Sequence, residues 1–542
     1  CRPGVFQARR AATPGHLLQA ADFRSHFNMG FQRKFGLCPM CLLESSTGCG
    51  AFKAILTACH FTSEESHVKM EKMNYEVILM QRTYRAFSIL FCVCFLLIAA
   101  SVLLCNGLFL AVACVCLGFY WLSRHQVPRF TLWLLVGGIL VRLVVIWILH
   151  PPLESDFEKL YEAAQSLLAG DLSFNSTPYF RLWAYQSAYV CWEAMWLTIW
   201  NHPIFLEIVH ACFAAGTVCL LYRIVLPHVR QSSAQLMALL LTCFPFACTL
   251  TTVLTNQIPS AFFLVLGIWL LICPDAERLR FWRYPLCGVA LQMGNLLRPE
   301  GIIILIAVLA WLFFSLLREP KRVKRLLCGV LALIALYYAV GFGADWLAKA
   351  TGLNPNGLQN SYPGWKFVCG LNHETGGMYS EDDWNLLGST LDENYMPTPE
   401  TEQLQKELIS QRLRVSPAQL GKLILNKVRN LWTAGGLVWA FRHVSQSSSF
   451  FVGELYQVIR DFDRALFFLV FALACFGLRK KKSPDAYLPY FVFFAAFCAF
   501  LPIEVQPRYA YLPQLFLFAA SAFGLDELAN IIENRRGELR CL

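Results

Sequence analysis

The chain alternates long apolar runs with short polar segments over most of its length. A helix needs about 20 largely apolar residues to cross a bilayer. The pattern predicts twelve membrane-spanning helices, at 87–104, 107–122, 130–150, 204–226, 234–253, 258–273, 284–297, 301–317, 326–346, 463–478, 486–503 and 509–526. A further aromatic stretch, 183–200, carries Glu193, and we expect it to be interfacial or re-entrant.

The basic residues assign a side of the membrane to each loop. Lys and Arg follow the even-numbered runs, for example at 278–283, 318–325 and 479–482, and loops rich in these residues face the cytoplasm. The loop 151–203 instead carries six acidic residues against two basic ones, so it faces outward. This assignment requires that 183–200 does not cross the membrane.

Composition agrees with a polytopic membrane protein. The chain is 56% hydrophobic and 15% charged, whereas soluble domains are about 25% charged. Its mean hydropathy is +0.47. The net charge of +10 is explained by cytoplasmic loops and anionic headgroups, and we expect no nucleic-acid partner. The predicted fold class is an all-α polytopic membrane protein with interfacial helices and one sizeable extracytoplasmic subdomain.

The same pattern predicts the domain boundaries. Residues 1–80 contain no long apolar run and are expected to be disordered or not native; their Cys residues are too irregularly spaced to predict a zinc site. The remaining segments are a transmembrane hairpin at 81–126, a transmembrane core at 127–346 with its first outer loop at 151–203, an extracytoplasmic subdomain at 347–462, C-terminal transmembrane helices at 463–527 and a cytoplasmic tail at 528–542.

The first candidate for chemistry is Asp156, directly after the apolar run 130–150. Ser155 and Glu158 have the spacing of a capping box, and apolar residues at helical spacing continue to Gly170. Asp156 would then occupy the first position of an interfacial helix, where the helix dipole favours an ionised carboxylate. The residue either only compensates this dipole or takes part in chemistry, and its position beside a membrane span favours chemistry.

Two other short outer loops carry charged pairs. Arg298 and Glu300 lie between two apolar runs, and Glu504, Arg508 and Tyr509 lie before the last one. Ionisable groups at such positions must face protein or water. The two arginines could bind a phosphate through two parallel hydrogen bonds, or they could simply anchor the loops at the interface.

Polar and aromatic residues in other outer segments are candidates for substrate binding. Asn256 and Gln257 could bond to hydroxyl groups or could merely end a helix. Trp365 and Asn372 lie in a segment rich in aromatic residues, Asn and Gly, which suits sugars but also occurs in loops without function. Asp461-Phe462-Asp463 has the DxD form of nucleotide-sugar enzymes, but its position at an outer membrane edge favours a structural role.

These features occur in an order that resembles a known family. An acid follows an early span, and TNQIPSAFFLVLGIWLL, LLRPEG and RYAYLP come later in the chain. The chain resembles the GT-C glycosyltransferases, in particular the bacterial branch similar to protein mannosyltransferases and to the lipid A aminoarabinose transferase. The resemblance covers about 130–346 and 463–526 and implies a GT-C-like bundle that uses a polyprenyl-phosphate sugar on the outer face. It also implies that Asp156 is the catalytic acid–base residue.

The sequence departs from this family at one position. Relatives often carry a second acid in the next outer loop, where this chain has Asn256 and Gln257. We assign no residue as a metal ligand. The departure leaves open whether the protein needs a divalent metal and which acceptor it uses.

The predicted function is an inverting sugar transfer at a multi-pass, bacterial plasma membrane, with the active site outside. Asp156 would be the base, and the departing phosphate would bind Arg298, Arg508 and Tyr509. The predicted substrate-binding residues are Glu158, Asn256, Gln257, Glu300, Glu504, Trp365 and Asn372. The acceptor could be a glycan, a lipid or a protein. Two alternatives stay open: a transporter or flippase of lipid-linked sugars, and a polysaccharide polymerase or ligase.

Overall fold

The computed structural model describes residues 82–93, 127–272, 282–318, 320–433, 436–442 and 450–541, with isolated positions at 80, 117, 118, 121, 274 and 279. Its regular elements are helices. In chain order these are α1 (Phe130–Leu149), α2 (Asp156–Leu168), α3 (Pro178–Leu182), α4 (Ser187–Leu197), α5 (Pro203–Val225), α6 (Gln231–Thr242), α7 (Pro245–Thr249), α8 (Gln257–Ile272), α9 (Arg283–Leu297), α10 (Gly301–Arg318), α11 (Val323–Ala350), α12 (Gly364–Gly370), α13 (Glu381–Gly388), α14 (Pro399–Leu413), α15 (Pro417–Val428), α16 (Phe450–Gly477), α17 (Pro484–Ala499) and α18 (Tyr511–Cys541).

Long apolar helices dominate the described part of the chain. Five of them, counted within those residues, are long and apolar enough to cross a membrane, and a bent pair at 231–252 would make a sixth. Two shorter apolar helices are α8 and α17. The predicted fold class, an all-helical polytopic membrane protein, is confirmed, whereas the number of twelve spans is not. The predicted segment 1–80 and the runs 87–104 and 107–122 lie largely outside the described residues.

The predicted span 234–253 is wrong in one respect, because it is not continuous. The chain ends α6 at Thr242 and restarts α7 at Pro245 with a bend of 56°. Proline has no N–H to donate, and it disfavours helical geometry at the preceding residue, so the run breaks there. The carboxylate of Asp463 accepts a hydrogen bond of 2.8 Å from the backbone N–H of Phe246. Asp463 therefore satisfies a backbone donor at the bend, in line with the structural role predicted for the DxD sequence.

The helix α2, predicted to be interfacial, begins and ends close to the predicted positions. Gly170 has a φ of +79°, and the N–H groups of Gly170 and Asp171 bond to the carbonyls of Leu167 and Ser166. This is a Schellman turn, which ends the helix. The predicted capping box is wrong: Ser155 is the N-cap residue, but at a φ of +59° its side chain makes no capping hydrogen bond.

The aromatic stretch 183–200 contains only an 11-residue helix, α4. At 1.5 Å per residue it is about 16 Å long, roughly half the thickness of the hydrocarbon core. This length agrees with the prediction that the stretch does not cross the membrane. One carboxylate, Glu193, is fully buried in it.

The segment between α11 and α16, which the loop charges predict to lie outside and which is called the outer segment below, holds four short helices, α12 to α15. The helix predicted near 398–414 is confirmed as α14, which starts with a capping box between Thr398 and Thr401. The core of this segment is aromatic: Tyr362 stacks on Trp365 with ring centroids 6.0 Å apart. The helix α16 begins at Phe450, earlier than the predicted 463, and α18 continues to Cys541, so the predicted tail 528–542 begins as helix.

Candidate active site

Asp156 and Arg508 come together although they are 352 residues apart in the sequence. Asp156 is the first residue of α2, and Arg508 lies in a 3₁₀ turn, Pro507–Ala510, that precedes α18. Nη2 of Arg508 lies 3.4 Å from Oδ2 of Asp156. The Asp156 side chain is 40% exposed and that of Arg508 only 9%. The carboxylate is thus open to solvent on one side while its cationic partner is fixed in the protein.

Aromatic rings and amides hold Arg508 in place. Its guanidinium carbon lies 4.9 Å from the ring centroid of Phe157 and 5.5 Å from that of Trp439. Its Nε donates to Oε1 of Gln506 at 2.9 Å, and its carbonyl accepts from Nε2 of Gln257 at 2.5 Å. A planar guanidinium stacks on aromatic faces while its N–H groups remain available around the rim. The side chain is therefore oriented before any ligand arrives.

The ring of Tyr509 lies among three cations. The charged groups of Arg298, Lys366 and Arg508 lie 4.7, 5.6 and 5.8 Å from its centroid. Nζ of Lys366 also donates to the Tyr509 hydroxyl at 3.4 Å and forms an ion pair with the Glu504 carboxylate. Each of these cations also has a carboxylate partner, Glu300, Glu504 and Asp156 respectively, so the ring lies within a network of three ion pairs.

Arg298 is held by the neighbouring outer loops. Its Nε donates to Oε1 of Glu300 at 2.5 Å, and its Nη1 donates to Oδ1 of Asn256 at 3.2 Å. Nδ2 of Asn256 in turn donates to Oε1 of Gln186 at 3.1 Å. Burial alone would lower the pKa of Arg298, but the Glu300 carboxylate raises it above the usual value. Arg298 therefore stays charged in its protein surroundings.

A continuous set of polar contacts connects Lys366 to Asp156. Lys366 pairs with Glu504, Nε2 of Gln506 donates to Oε1 of Glu504 at 2.8 Å, and Gln506 accepts from Arg508, which contacts Asp156. Burial would raise the pKa of Glu504, but the Lys366 ammonium, with further hydrogen bonds, lowers it below the usual value. The Glu504 carboxylate is accordingly ionised at neutral pH.

A cavity of about 1130 Å³ opens beside this cluster. Asp156 and Arg508 both line it, together with Lys159 and Gln506. Aromatic side chains form much of the remaining wall: Phe174, Tyr179, Phe180, Trp183, Tyr379, Trp384 and Trp439. The cavity is large enough for a ligand of several rings and has both apolar and charged walls.

Most of the predicted site residues meet in this region. The structure brings together Asp156, Asn256, Gln257, Arg298, Glu300, Glu504, Arg508 and Tyr509. It does not bring in the other three. Glu158 is exposed and does not line the cavity, Trp365 is buried in the aromatic core of the outer segment, and Asn372 is buried with its Nδ2 bonded to Asp383 at 2.9 Å.

Sequence reasoning missed four members of this cluster: Lys366, Gln506, Gln186 and Tyr185. Burial raises the pKa of the Tyr185 phenol, and its charge interactions with Lys366, Tyr509 and Arg298 place it beside the cations. Gln506 could have been found, because it lies between the predicted Glu504 and Arg508. Lys366 had no comparable signal, since its role depends on how the outer segment folds back onto the last loop. Among the described residues, no group of three or more His, Cys, Asp or Glu side chains could hold a metal ion.

Comparison with known proteins adds two kinds of similarity. Residues 198–341 match the family model described as dolichyl-phosphate-mannose-protein mannosyltransferase. Among solved structures, the chain is similar to the archaeal oligosaccharyltransferase AglB from Archaeoglobus fulgidus, in complex with an inhibitory peptide and a dolichol-phosphate (14% identity, 76% of this chain, 52% of that chain, TM-score 0.43) and in the apo form (15%, 76%, 52%, 0.43). This chain thus spans about half the length of those AglB chains.

It is also similar to ArnT from Cupriavidus metallidurans bound to undecaprenyl phosphate, with 16% identity over 74% of this chain and 76% of that chain and a TM-score of 0.32. A comparison with curated protein sequences finds no match. The family match covers α5 to most of α11 and so includes Asn256, Arg298 and Glu300. The family match agrees with the predicted resemblance to membrane glycosyltransferases of the GT-C type, and residues 198–341 carry the sequence pattern of the mannosyltransferase family.

Proposed function

We propose that this protein transfers a sugar from a polyprenyl-phosphate donor to a hydroxyl group of an acceptor, on the outer face of the membrane and with inversion at the anomeric carbon. One observation carries the proposal. The Asp156 carboxylate and the Arg508 guanidinium lie 3.4 Å apart and face the same cavity of about 1130 Å³. A base and a phosphate-binding cation beside one open space are the two groups that such a transfer needs.

The cations around Tyr509 give the donor phosphate a place to bind. Arg508 lines the cavity and would contact the phosphate directly, while Arg298 and Lys366 contribute positive potential from behind the ring. Arg298 and Lys366 already have the carboxylate partners Glu300 and Glu504, so their positions do not depend on the donor. Preorganised cations stabilise charge that develops on a departing phosphate without reorganisation.

The reaction needs one proton acceptor. An acceptor hydroxyl attacks the anomeric carbon as its proton moves to the Asp156 carboxylate. The bond between that carbon and the phosphate oxygen breaks, and its electron pair leaves with the polyprenyl phosphate, which Arg508 binds. Asp156 thus acts on the entering oxygen and Arg508 on the leaving one. The sugar enters the cavity beside this pair, and the 3.4 Å contact between the two side chains must open before the sugar can lie between them.

The acceptor would enter through the open part of the cavity. Asp156 is the more exposed member of the pair, and the aromatic wall continues from it along Tyr179, Trp183 and Trp384. Aromatic rings with interspersed polar groups suit a bulky acceptor such as a glycan or a glycolipid. The family description and the relatives' ligands are consistent with a polyprenyl-phosphate donor, and the active-site side follows from the predicted loop charges.

The direct test compares the wild type with Asp156→Asn in detergent, using polyprenyl-phosphate sugars and a panel of acceptors. The release of polyprenyl phosphate and the affinity for undecaprenyl phosphate are both measured. Loss of a general base predicts that the rate falls about 100-fold or more, while the affinity for undecaprenyl phosphate is retained. Arg508→Lys keeps the charge but loses the fork of the guanidinium, so we expect its affinity to fall instead.

A matched control is Asp171→Asn. Asp171 is an exposed acid of the same outer loop, and its carboxylate bonds to its neighbour Ser173. This variant should turn over like the wild type. If Asp156→Asn also turns over like the wild type, Asp156 only ends a helix and the proposed mechanism is wrong.

A further inference from the structure

The loop that carries the catalytic cluster is attached to the outer segment by its backbone. The N–H of Glu504 donates to the carbonyl of Lys366 at 2.7 Å, and the N–H of Val505 donates to the carbonyl of Gly377 at 2.9 Å. At Gly370 the two backbones touch: a Cβ there would lie 2.3 Å from the carbonyl carbon of Ile503. The residues 501–505 therefore lie directly against the segment 366–377.

A buried lysine, Lys427 at the end of α15, joins these two segments. Its ammonium donates to the carbonyls of Gly370 at 2.8 Å, Leu501 at 2.7 Å and Ile503 at 2.7 Å. The residue is only 2% exposed. All three of its N–H bonds are thus directed at backbone carbonyls, two of them on the loop and one on the outer segment. A buried ammonium is costly unless its donors are satisfied, as they are here.

The chain keeps space for this lysine. Gly377 has a φ of +86°, a backbone conformation that residues other than glycine rarely adopt. A Cβ at Gly377 would also lie 2.7 Å from Cγ of Lys427. A glycine is therefore required at this position both by its backbone and by the stem of the lysine.

We propose that Lys427 is a positioning residue that fixes 501–505 against the outer segment and thereby holds Glu504, Gln506 and Arg508 in register with Asp156. It does not line the cavity and would not touch a substrate. Lys427 acts on the site indirectly. It bonds to the carbonyls of Leu501 and Ile503, at the start of the loop that carries Arg508. The effect on donor binding rests on the proposed function, whereas the attachment of the loop does not.

Hydrogen exchange of the full-length protein in detergent tests the attachment. Peptides covering 501–508 report on the amides of Glu504 and Val505, which are protected by the bonds to Lys366 and Gly377. In Lys427→Met these amides should exchange about tenfold faster or more, because three bonds from a charged donor are lost. Lys427→Arg keeps the charge and the donors and should restore much of the protection.

Lys422→Met is the matched control, since Lys422 lies on the same helix but is exposed. It should leave the exchange of 501–508 unchanged. The affinity for undecaprenyl phosphate is a second measurement. A local loss of structure away from the site would not change this affinity. It should fall about fivefold or more in Lys427→Met, because the loop that carries Arg508 is less firmly placed, and return toward the wild-type value in Lys427→Arg.

The outcomes separate the two proposals. Equal exchange at Glu504 and Val505 in the wild type and in Lys427→Met overturns the attachment. Faster exchange with unchanged affinity overturns the link to Arg508. If Lys427→Met does not fold, Gly377→Ala replaces it, because the new methyl group displaces the lysine stem. The amide of Glu504 is then the readout, since the amide of Val505 bonds to Gly377 itself. If the wild type does not bind undecaprenyl phosphate, the proposed function fails while the exchange result still decides the role of Lys427.

Discussion

Two halves of the site are built in opposite ways. Around Tyr509, the charged groups are paired and less exposed: Glu504 is 3% exposed and Lys366 30%. At the other half, Asp156 is 40% exposed, and the neighbouring ion pair of Glu154 with Arg442 is exposed by 35% and 44%. Buried ion pairs fix geometry, whereas exposed ones contribute little and move easily. Under the proposed function, the buried side would bind the donor phosphate and the open side would admit the acceptor.

The largest effect on the buried half is expected from Glu504→Leu. The substitution leaves the Lys366 ammonium without its carboxylate, and breaking a buried pair costs about 3–5 kcal/mol. Because Lys366 keeps 30% of its side chain exposed, we expect a loss of about 3 kcal/mol in the free energy of unfolding. Denaturant unfolding in detergent, followed by tryptophan fluorescence, measures it.

The double variant Lys366→Met/Glu504→Leu is the control for this prediction. Removing both charges removes the unpaired ammonium, so most of the lost stability should return. A double variant as unstable as Glu504→Leu alone would mean that the buried half is held by packing and not by this pair.

A change in pH is expected to have an intermediate effect on the stability that the Glu504 carboxylate contributes. The pKa of Glu504 in the folded protein is lowered below its usual value near 4.5. The stability that this carboxylate contributes is therefore complete above about pH 5 and is lost as the pH falls through the lower, folded-state pKa. The difference in unfolding free energy between the wild type and Glu504→Gln should stay constant from pH 7 to 5 and shrink on further acidification. A difference that grows below pH 5 would contradict this.

The smallest effect is expected at the exposed half. Nη1 of Arg442 lies 3.0 Å from Oε2 of Glu154, and both side chains are well exposed to solvent. Glu154→Gln should change the free energy of unfolding by less than about 1 kcal/mol, and high salt should reduce the change further. A loss of several kcal/mol in the same unfolding experiment would remove the contrast between the two halves.

The sequence predicted the membrane helices and most of the site because their signals are local. Apolar runs identify spans, and a charged residue in a short loop beside the membrane must face protein or water. Asp156, Arg298 and Arg508 could therefore be selected one by one. The bend before Pro245 also has a local signal, since proline cannot continue the hydrogen bonds of a helix, but the apolar run around it predicts one continuous span.

The parts that escaped prediction depend on contacts between distant segments. Trp365 and Asn372 looked like sugar-binding residues, yet they form the interior of the outer segment, while Lys366, next to one of them, reaches the site. Neighbouring residues in a short helix point in different directions, and only the tertiary structure decides which one faces the cavity. Lys427 could not be found for the same reason, because its partners are backbone carbonyls with no sequence signature.

The separation of 352 residues between Asp156 and Arg508 has a consequence for biosynthesis. A ribosome adding about 5–20 residues per second needs roughly 20 to 70 seconds to make the stretch between them. During that time the carboxylate is already at the membrane surface without its cationic partner or the loop that Lys427 holds. Under the proposed mechanism, a nascent chain that ends before Arg508 therefore cannot transfer sugar, and activity begins only when the segment that carries Arg508 reaches its place.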